Sequence, residues 1–375
     1  MRAYVFTGES LKRYAGRFVW LSINTEDSKN TGFLAKYPIA ALPTLLVLNP
    51  PGDKILLRYV GGTTLAQLEK LLAGVSIKIP AGPDSLVRQA DRVAAANEHG
   101  KAASLYASAI KNAPKDWRSL GPVSESLLFS LRGAKEYERC AAEALALYPR
   151  LRSTRSGANA AAAGLDCGLL MDEKNPRRSG LVGELEKATR EALKNPALDL
   201  SDDDRSGMYM SLIDSREAFK DEAGARKLSR EWTALLEKAA AEAKTPEQRA
   251  VYDSHRLSAY LKLESPDKAI PMLERSERDF PDDYNPPARL AIAYAELKQY
   301  GKALAASERA LARAYGPRKI SILSRRAEIY AEMADKVAAK RTLADAIRYA
   351  KQLPAVQVNK ETIVALERRL ADLSK

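Results

Sequence analysis

The fold is decided by residues 284 to 317, YNPPARLAIAYAELKQYGKALAASERALARAYGP. Apolar residues recur there at helical spacing in two blocks, which the polar step Lys298-Gln299 separates. Alanine dominates the apolar face of both blocks, so two helices could approach each other closely. The stretch therefore predicts a pair of antiparallel helices with a short turn between them.

The same pattern recurs at intervals of 34 and 36 residues. This spacing of small, aromatic and small residues, with a proline ending the unit, resembles the tetratricopeptide repeat (TPR). The clearest units are 86–114, 250–281, 284–317 and 318–354, whereas residues 120–250 match weakly. Divergent repeats are expected there, and an insertion that forms a binding loop at 193–207 is the alternative. The matching positions are Leu257, Tyr260, Leu263, Ala269 and Ser276; Ala291, Tyr294, Leu297, Ala303 and Ala310; Ala327, Tyr330, Met333, Ala339 and Ala346; and, in the first unit, Ala90, Val93, Ala96, Ala102, Tyr106, Ala109 and Pro114.

The resemblance to TPR proteins implies that the repeats stack and leave a concave groove for peptides or protein segments. An arginine-rich groove would accept an acidic or carboxylate-terminated peptide through charge-assisted hydrogen bonds. Ordinary solvated surface arginines are the alternative interpretation. The family's geometry places these residues on the groove face of the last three units: Tyr252, Arg256, Asn285, Arg289, Ile292, Arg325 and Glu328.

The first 78 residues have a different character. Phe18–Asn24 reads as a strand, DSKNTGFLAKYPI as a short helix, and TLLVLNP and KILLRYVGG as two strands joined at Pro50–Asp53. A last helix begins with a capping box from Thr64 to Gln67 and would bury Leu65, Leu68, Leu71 and Leu72. Prolines and a glycine in SIKIPAGPD indicate a linker before the repeats.

The stretch KYPIAALPTLLVLNPPGDKILLRYVGG resembles the second half of thioredoxin-like domains. The resemblance implies a cis peptide bond before Pro43 and a substrate-binding loop of Leu42, Pro43 and Thr44. The C-x-x-C motif of that family is absent, and so is the strand that would precede Met1-Arg2-Ala3-Tyr4. We expect either an internal start with the catalytic segment and possibly a leader upstream, or a degenerate, non-catalytic module.

Cys140 and Cys167 show no metal-binding spacing and are expected to be small buried packing residues, with a reactive or bridged pair as the alternative. The two histidines, His99 and His255, do not suggest metal ligands. We therefore expect no cofactor and no metal site.

The net charge of +12 is spread along the chain without an obvious nucleic-acid motif, so specific nucleic-acid binding is not expected. The longest apolar run, Ile39–Leu48, is too short to span a bilayer, and the N-terminus does not read as a signal peptide. The sequence as written predicts a cytoplasmic protein, or a periplasmic one if a leader lies upstream.

The sequence thus predicts an α+β two-domain protein. A partial thioredoxin-like domain at 1–78 and a linker at 79–84 would precede a TPR-like α-solenoid at 85–375. The expected function is a protein-binding scaffold with peptide or protein partners. The alternative is a thiol–disulfide oxidoreductase whose C-x-x-C lies upstream of Met1. The partner's identity and the oligomeric state do not follow from the sequence.

Overall fold

The computed structural model describes residues 4–39, 41–49, 54–75, 82–358 and 360–373. Helices dominate these residues, and two strands form a hairpin. The helices are α1 (Thr31–Lys36), α2 (Leu65–Ala73), α3 (Pro83–Ala95), α4 (His99–Lys111), α5 (Leu120–Gly133), α6 (Tyr137–Leu151), α7 (Arg155–Leu169), α8 (Arg178–Lys194), α9 (Asp202–Ala218), α10 (Glu222–Glu242), α11 (Pro246–Ala250), α12 (Asp253–Lys262), α13 (Ala269–Asp279), α14 (Asn285–Glu296), α15 (Tyr300–Arg313), α16 (Pro317–Glu332), α17 (Lys336–Gln352) and α18 (Lys360–Asp372); the strands are β1 (Thr44–Asn49) and β2 (Lys54–Val60).

The described residues fall into two compact units. Unit 1 contains those of Met1–Ala15 and Ile39–Trp232, and unit 2 contains those of Gly16–Pro38 and Thr233–Lys375. Each unit combines stretches that are distant in sequence, so its limits differ from a division along the chain. The division predicted from the sequence, 1–78, 79–84 and 85–375, therefore stays a prediction.

The same turn joins the two helices of six pairs. In the α14–α15 pair, Lys298 adopts a φ of +58°, and the Gln299 N–H donates to the carbonyl of Tyr294 at 2.9 Å. This bond closes a Schellman-type helix end. The left-handed residue turns the chain so that the next backbone N–H can bond to a carbonyl that has no partner within the helix. Two of the six turns lie in the weakly matching middle, so its pairs α5–α6 and α9–α10 are built like the clear repeats. The left-handed residues are Asn97, Lys135, Lys220, Glu264, Lys298 and Ala334.

Helices α6 and α7 are joined covalently. Cys140 and Cys167 form a disulfide, and both side chains are fully buried. The prediction that they are packing residues is right about their burial and wrong about their chemistry. Two buried cysteines on facing helices have neighbouring Cβ atoms, which their separation of 27 residues in sequence does not reveal.

A guanidinium hub holds the N-terminal hairpin against the helices of unit 1. The Nε and Nη2 of Arg155 donate to the two carboxylate oxygens of Asp204, each at 2.8 Å. Its Nη1 donates to the Tyr59 hydroxyl at 2.8 Å and to Gln67 Oε1 at 3.1 Å, and Nη2 also donates to the Gly62 carbonyl at 2.8 Å. The Arg155 and Asp204 side chains are only 11% and 7% exposed. A guanidinium whose donors are engaged in this way is structural and offers little to a ligand.

The segment between α8 and α9 is also structural. Leu198 is buried and packs with Met208 on α9 and with alanines of α7 and α8. The Asp199 carboxylate accepts a hydrogen bond from the Thr64 hydroxyl, and Ser201 and Asp204 form a capping box at the start of α9. These contacts favour a packed joint over the binding loop that residues 193–207 had suggested.

The hairpin confirms part of the N-terminal prediction. Strands β1 and β2 pair antiparallel, and α2 begins with the predicted capping box between Thr64 and Gln67. The Leu42–Pro43 peptide bond is cis, as the thioredoxin resemblance implies. The predicted short helix is present as α1, and α2 buries Leu68 and Leu72 more fully than its other leucines.

The strand predicted at Phe18–Asn24 is wrong. These residues have no regular secondary structure, and Val19 and Leu21 are 88% and 76% exposed. Within the described ranges, β1 and β2 pair only with each other, and this segment adds no strand to their sheet. The sheet of a thioredoxin-like domain is therefore not observed. Residues 1–3, the turn at 50–53 and most of the predicted linker, 76–81, lie outside the described residues.

Candidate peptide-binding groove

The predicted groove lies in unit 2, on the first helices of successive repeats. Helices α12, α14 and α16 pack beside one another, and each is covered on its other side by the second helix of its pair, α13, α15 or α17. Alanine and leucine fill this interface, including Leu257, Leu290 and Ala303. Because the apolar faces are used for stacking, the polar positions of the first helices remain for a ligand.

Arg256 and Arg289 are brought together around one buried carboxylate. Asp253, at the start of α12, is only 1% exposed, and neither of its oxygens has a hydrogen-bond partner. Burial raises the pKa of Asp253, while the nearby Ser276 hydroxyl, which does not reach hydrogen-bond geometry, and the guanidinium groups of Arg289, Arg256 and Arg249 lower it. A buried carboxylate amid positive charge is an electrostatic anchor for those side chains.

The two arginines differ in how fully they are engaged. The Arg256 guanidinium lies over the Tyr260 ring, 6.0 Å from its centroid, and Nη2 donates to the Tyr260 hydroxyl at 3.4 Å. Arg289 is partly buried, and this burial lowers its pKa, although the carboxylates of Asp253 and Asp283 act in the opposite direction. Among the described residues we find no hydrogen-bond acceptor for Arg289, so its guanidinium donors are available to a ligand.

Arg249 is committed elsewhere, since its guanidinium forms an ion pair with Asp279. Arg326, four residues before Tyr330 as Arg256 is before Tyr260, is also fully used. It donates to the Leu304 carbonyl at 3.0 Å and to the Ser307 hydroxyl at 2.7 Å on the preceding repeat. The excess positive charge at the groove therefore belongs to Arg256 and Arg289.

The remaining predicted groove residues have local partners. Tyr252 is buried, 7% exposed, directly before α12. The backbone N–H of Asn285 donates to Asp283 Oδ1 at 2.8 Å, and its side-chain Nδ2 donates to the same oxygen at 2.7 Å. Arg325 pairs with Glu328 at 3.0 Å, and Glu328 also accepts from an arginine of α18. Arg325 and Glu328 are not among the groups that act on Asp253.

Sequence reasoning did not place Asp253 or Ser276 among the groove residues. The available signal was an acidic residue three positions before Arg256 in a helix, which places both on one face. That spacing alone reads as a surface ion pair. Only the packing of α13 and α14 around Asp253 shows that the carboxylate is buried.

The loop of Leu42, Pro43 and Thr44, which resembles a thioredoxin substrate site, lies at the end of the hairpin. Leu42 is 59% exposed, the Pro43 carbonyl accepts from the Gly61 N–H at 2.8 Å, and the Thr44 hydroxyl donates to the Ala41 carbonyl at 2.6 Å. The loop closes the end of the hairpin. Both cysteines of the sequence are joined in the Cys140–Cys167 disulfide, so no free thiol lies beside it.

Two further properties concern the described ranges only. Nowhere in them do three or more histidine, cysteine, aspartate or glutamate side chains gather in a way that could hold a metal ion. None of their helices combines the length and the apolar character that crossing a bilayer requires.

No protein-family model matches the sequence, and no curated protein matches it. Solved structures do resemble it. A tetratricopeptide repeat protein from Parabacteroides merdae aligns with 11% identity and a TM-score of 0.47, covering 77% of this chain and 98% of that chain. A thermophilic TPR protein from Thermus thermophilus aligns with 17% identity and a TM-score of 0.28, covering 78% and 99%. The TPR2AB domain of yeast Sti1, in a complex with pHSP90, aligns with 14% identity and a TM-score of 0.30, covering 78% and 98%.

At these identities and TM-scores the likenesses carry no argument about function. The fold rests on the molecule itself, in which antiparallel helix pairs recur with one turn geometry and with the predicted spacing of small and aromatic residues. The described chain is a mostly helical protein with a TPR-type repeat fold.

Proposed function

We propose that this chain is a non-enzymatic protein-binding scaffold. The groove of unit 2 binds acidic or carboxylate-terminated segments of a protein partner. The observation that carries the proposal is the Arg289 guanidinium, which lies on the groove-lining helix α14 beside the buried Asp253 and has donors to spare. Arg256 supplies a second guanidinium to the same place.

The chemistry favours an anionic ligand. A guanidinium presents a planar fork of N–H donors that matches a carboxylate in two parallel hydrogen bonds. Asp253 is too deeply buried to meet a ligand, so it holds the arginines without repelling an incoming carboxylate at close range. A charge-assisted hydrogen bond contributes about 1.5–3 kcal/mol, or roughly a 10- to 100-fold change in Kd.

The test is a binding titration with two fluorescein-labelled hexapeptides. One is Ala-Asp-Ala-Asp-Ala-Leu with a free carboxylate, and the other is its amidated counterpart with asparagine for aspartate. The acidic peptide should bind more tightly, and Arg289→Ala should weaken its binding about 10-fold or more. Arg278→Ala is the matched control, because Arg278 is exposed on α13 and its loss removes the same charge. Equal affinity for both peptides, or equal losses in the two variants, would refute the proposed groove.

The oxidoreductase alternative gains no support from the described residues. Thiol–disulfide exchange needs an accessible thiolate. The two cysteines of this chain are bonded to each other and fully buried. We therefore treat the thioredoxin resemblance of the hairpin as a matter of ancestry and assign no redox step to it.

The disulfide also bears on the compartment. Disulfides persist in oxidising compartments and are rare where thioredoxin and glutathione keep thiols reduced. This favours a periplasmic or other extracytoplasmic location over the cytoplasmic one that the N-terminus suggested. Rapid alkylation of native protein followed by mass spectrometry tests the point, and two alkylated cysteines would contradict it.

A further inference from the structure

A short turn near the N-terminus is bound by residues at the junctions between repeats of unit 2. The segment is Asn24–Glu26, and a different side chain contacts each of its residues. Asn24 Nδ2 donates to the Tyr315 hydroxyl at 3.0 Å, Gln357 Nε2 donates to the Thr25 carbonyl at 3.3 Å, and the Arg318 guanidinium pairs with the Glu26 carboxylate. We name Tyr315, Gly316, Arg318 and Gln357 the edge site.

Gly316 gives the edge site its shape. It adopts a φ of +53°, and a Cβ built on it would lie 2.5 Å from the carbonyl oxygen of Glu26. A side chain here would strain the backbone and would also push the bound segment away. The backbone of Asn24–Glu26 therefore passes closer to this loop than it could past any other residue type.

The segment is already folded into the shape that the edge site contacts. Asn24 Oδ1 accepts from the Glu26 N–H at 3.0 Å, and Asn30 Nδ2 donates to the Asn24 carbonyl at 2.8 Å. The Glu26 side chain is only 15% exposed in its ion pair with Arg318. Such local bonds lower the entropy that the segment loses on binding.

One group of the edge site remains unsatisfied while the segment is bound. Gln357 Oε1 is buried and accepts no hydrogen bond from any described residue, although the Nε2 of the same amide donates to Thr25. A ligand that also donates an N–H to this oxygen would regain a bond that the chain's own segment leaves unmade.

We propose that the edge site is a peptide-binding site, distinct from the groove, for protein segments that form a turn and carry an amide side chain and, two residues later, a carboxylate. Asn24–Glu26 is its built-in occupant. A segment of the same chemistry from another protein molecule binds when the built-in one is released.

The built-in segment has a concentration advantage. One charge-assisted and two neutral hydrogen bonds give a separate peptide only a weak affinity, with a Kd on the order of 0.1–1 mM. A tethered segment acts at an effective concentration of roughly millimolar, so it occupies the site in preference to a dilute peptide. Access to the site therefore depends on weakening the chain's own segment or on a better ligand.

The experiment uses a fluorescein-labelled peptide of residues 22–30, SINTEDSKN. It is titrated against the intact chain and against an emptied variant with Asn24→Ala and Glu26→Ala. The emptied variant should bind the peptide about 2- to 10-fold more tightly than the intact chain does, because a tethered competitor weakens the apparent affinity by one plus its effective concentration divided by its Kd. Adding Arg318→Ala to the emptied variant should lose that gain, whereas adding Arg341→Ala, an exposed arginine of α17, should not.

A change in the peptide guards against misfolded variants. SINTQDSKN, in which glutamine replaces the glutamate, should bind the emptied variant about 10-fold more weakly than SINTEDSKN. Equal binding of the peptide to the intact and emptied chains would overturn the proposal, and so would equal effects of Arg318→Ala and Arg341→Ala. Arg289→Ala should leave this binding unchanged, which separates a failure of the edge site from a failure of the groove.

Discussion

Replacing Arg155 with methionine should loosen the hairpin from the helices of unit 1. The methionine keeps much of the buried volume but removes the five hydrogen bonds that Arg155 donates. Asp204 would then be left 7% exposed and without its cation. Breaking a buried ion pair by removing one partner costs about 3–5 kcal/mol.

The expected loss for Arg155→Met is about 3 kcal/mol, at the low end of that range. Asp204 Oδ2 retains hydrogen bonds from the Ser201 backbone N–H at 2.9 Å and from the Ser201 hydroxyl at 2.7 Å, which continue to stabilise its charge. The free energy of unfolding is measured by urea denaturation. Hydrogen exchange in β2 and α2 should accelerate, because Tyr59, Gly62 and Gln67 lose their common donor.

Arg152→Ala is the matched control, because Arg152 pairs with Glu191 on the surface and is 62% exposed. Exposed pairs contribute only about 0–1 kcal/mol. In a double-mutant cycle, Arg155→Met combined with Asp204→Asn should be less destabilised than the sum of the single variants, by about 1–3 kcal/mol. A loss for Arg155→Met no larger than that for Arg152→Ala, or strict additivity in the cycle, would refute the structural role of the hub.

Three further predictions concern pH, the disulfide and the repeat turn. Burial raises the pKa of Asp91 to about 6, against the hydrogen bond from the Tyr106 hydroxyl, so the protonated form is stabilised in the folded state and stability should fall as pH rises from 4 to 7. At 1.36 kcal/mol per pKa unit, the free energy of unfolding should fall by about 3 kcal/mol. Urea denaturation at several pH values should show this fall in the parent protein and not in Asp91→Asn. Parallel pH profiles of the two proteins would contradict it. Cys167→Ala, which opens the disulfide loop to Cys140, should cost about 3.5 kcal/mol by loop-closure entropy, and an unchanged urea midpoint under oxidising conditions would argue against the bond. Lys298→Gly should raise the free energy of unfolding by about 0.5–1 kcal/mol, because glycine adopts the left-handed φ of this position without penalty. The same change at the mid-helix Lys340 should lower the free energy of unfolding. A lower stability in both variants would count against the role of the turn.

The repeats could be predicted from the sequence because their signal is local and periodic. Each helix pair must bury a strip of small residues against the next, and this requirement fixes positions such as Ala291, Tyr294 and Ala303. The hairpin and the capping box at Thr64 were predictable for the same reason, since turn and cap residues act within a few positions.

Features that depend on distant packing were not predictable. The Cys140–Cys167 bond and the burial of Asp253 both require knowing which helices face each other. Phe18–Asn24 has the composition of a strand, but strand propensity depends on pairing with a neighbouring strand, and among the described residues this segment is not paired. Of the groove residues, Arg256 and Arg289 meet around Asp253, while Arg325 and Glu328 neutralise each other instead.

The common turn makes the helix pairs of the last repeats interchangeable building blocks. The left-handed residues Glu264, Lys298 and Ala334 each end one helix and aim the next in the same way, at intervals of 34 and 36 residues. Excising the chain from a point in one turn to the equivalent point in the next would delete one whole block and restore the same joint. Gene duplication or loss could thus change the number of repeats, and with it the length of partner that the protein accommodates, without inventing a new connection.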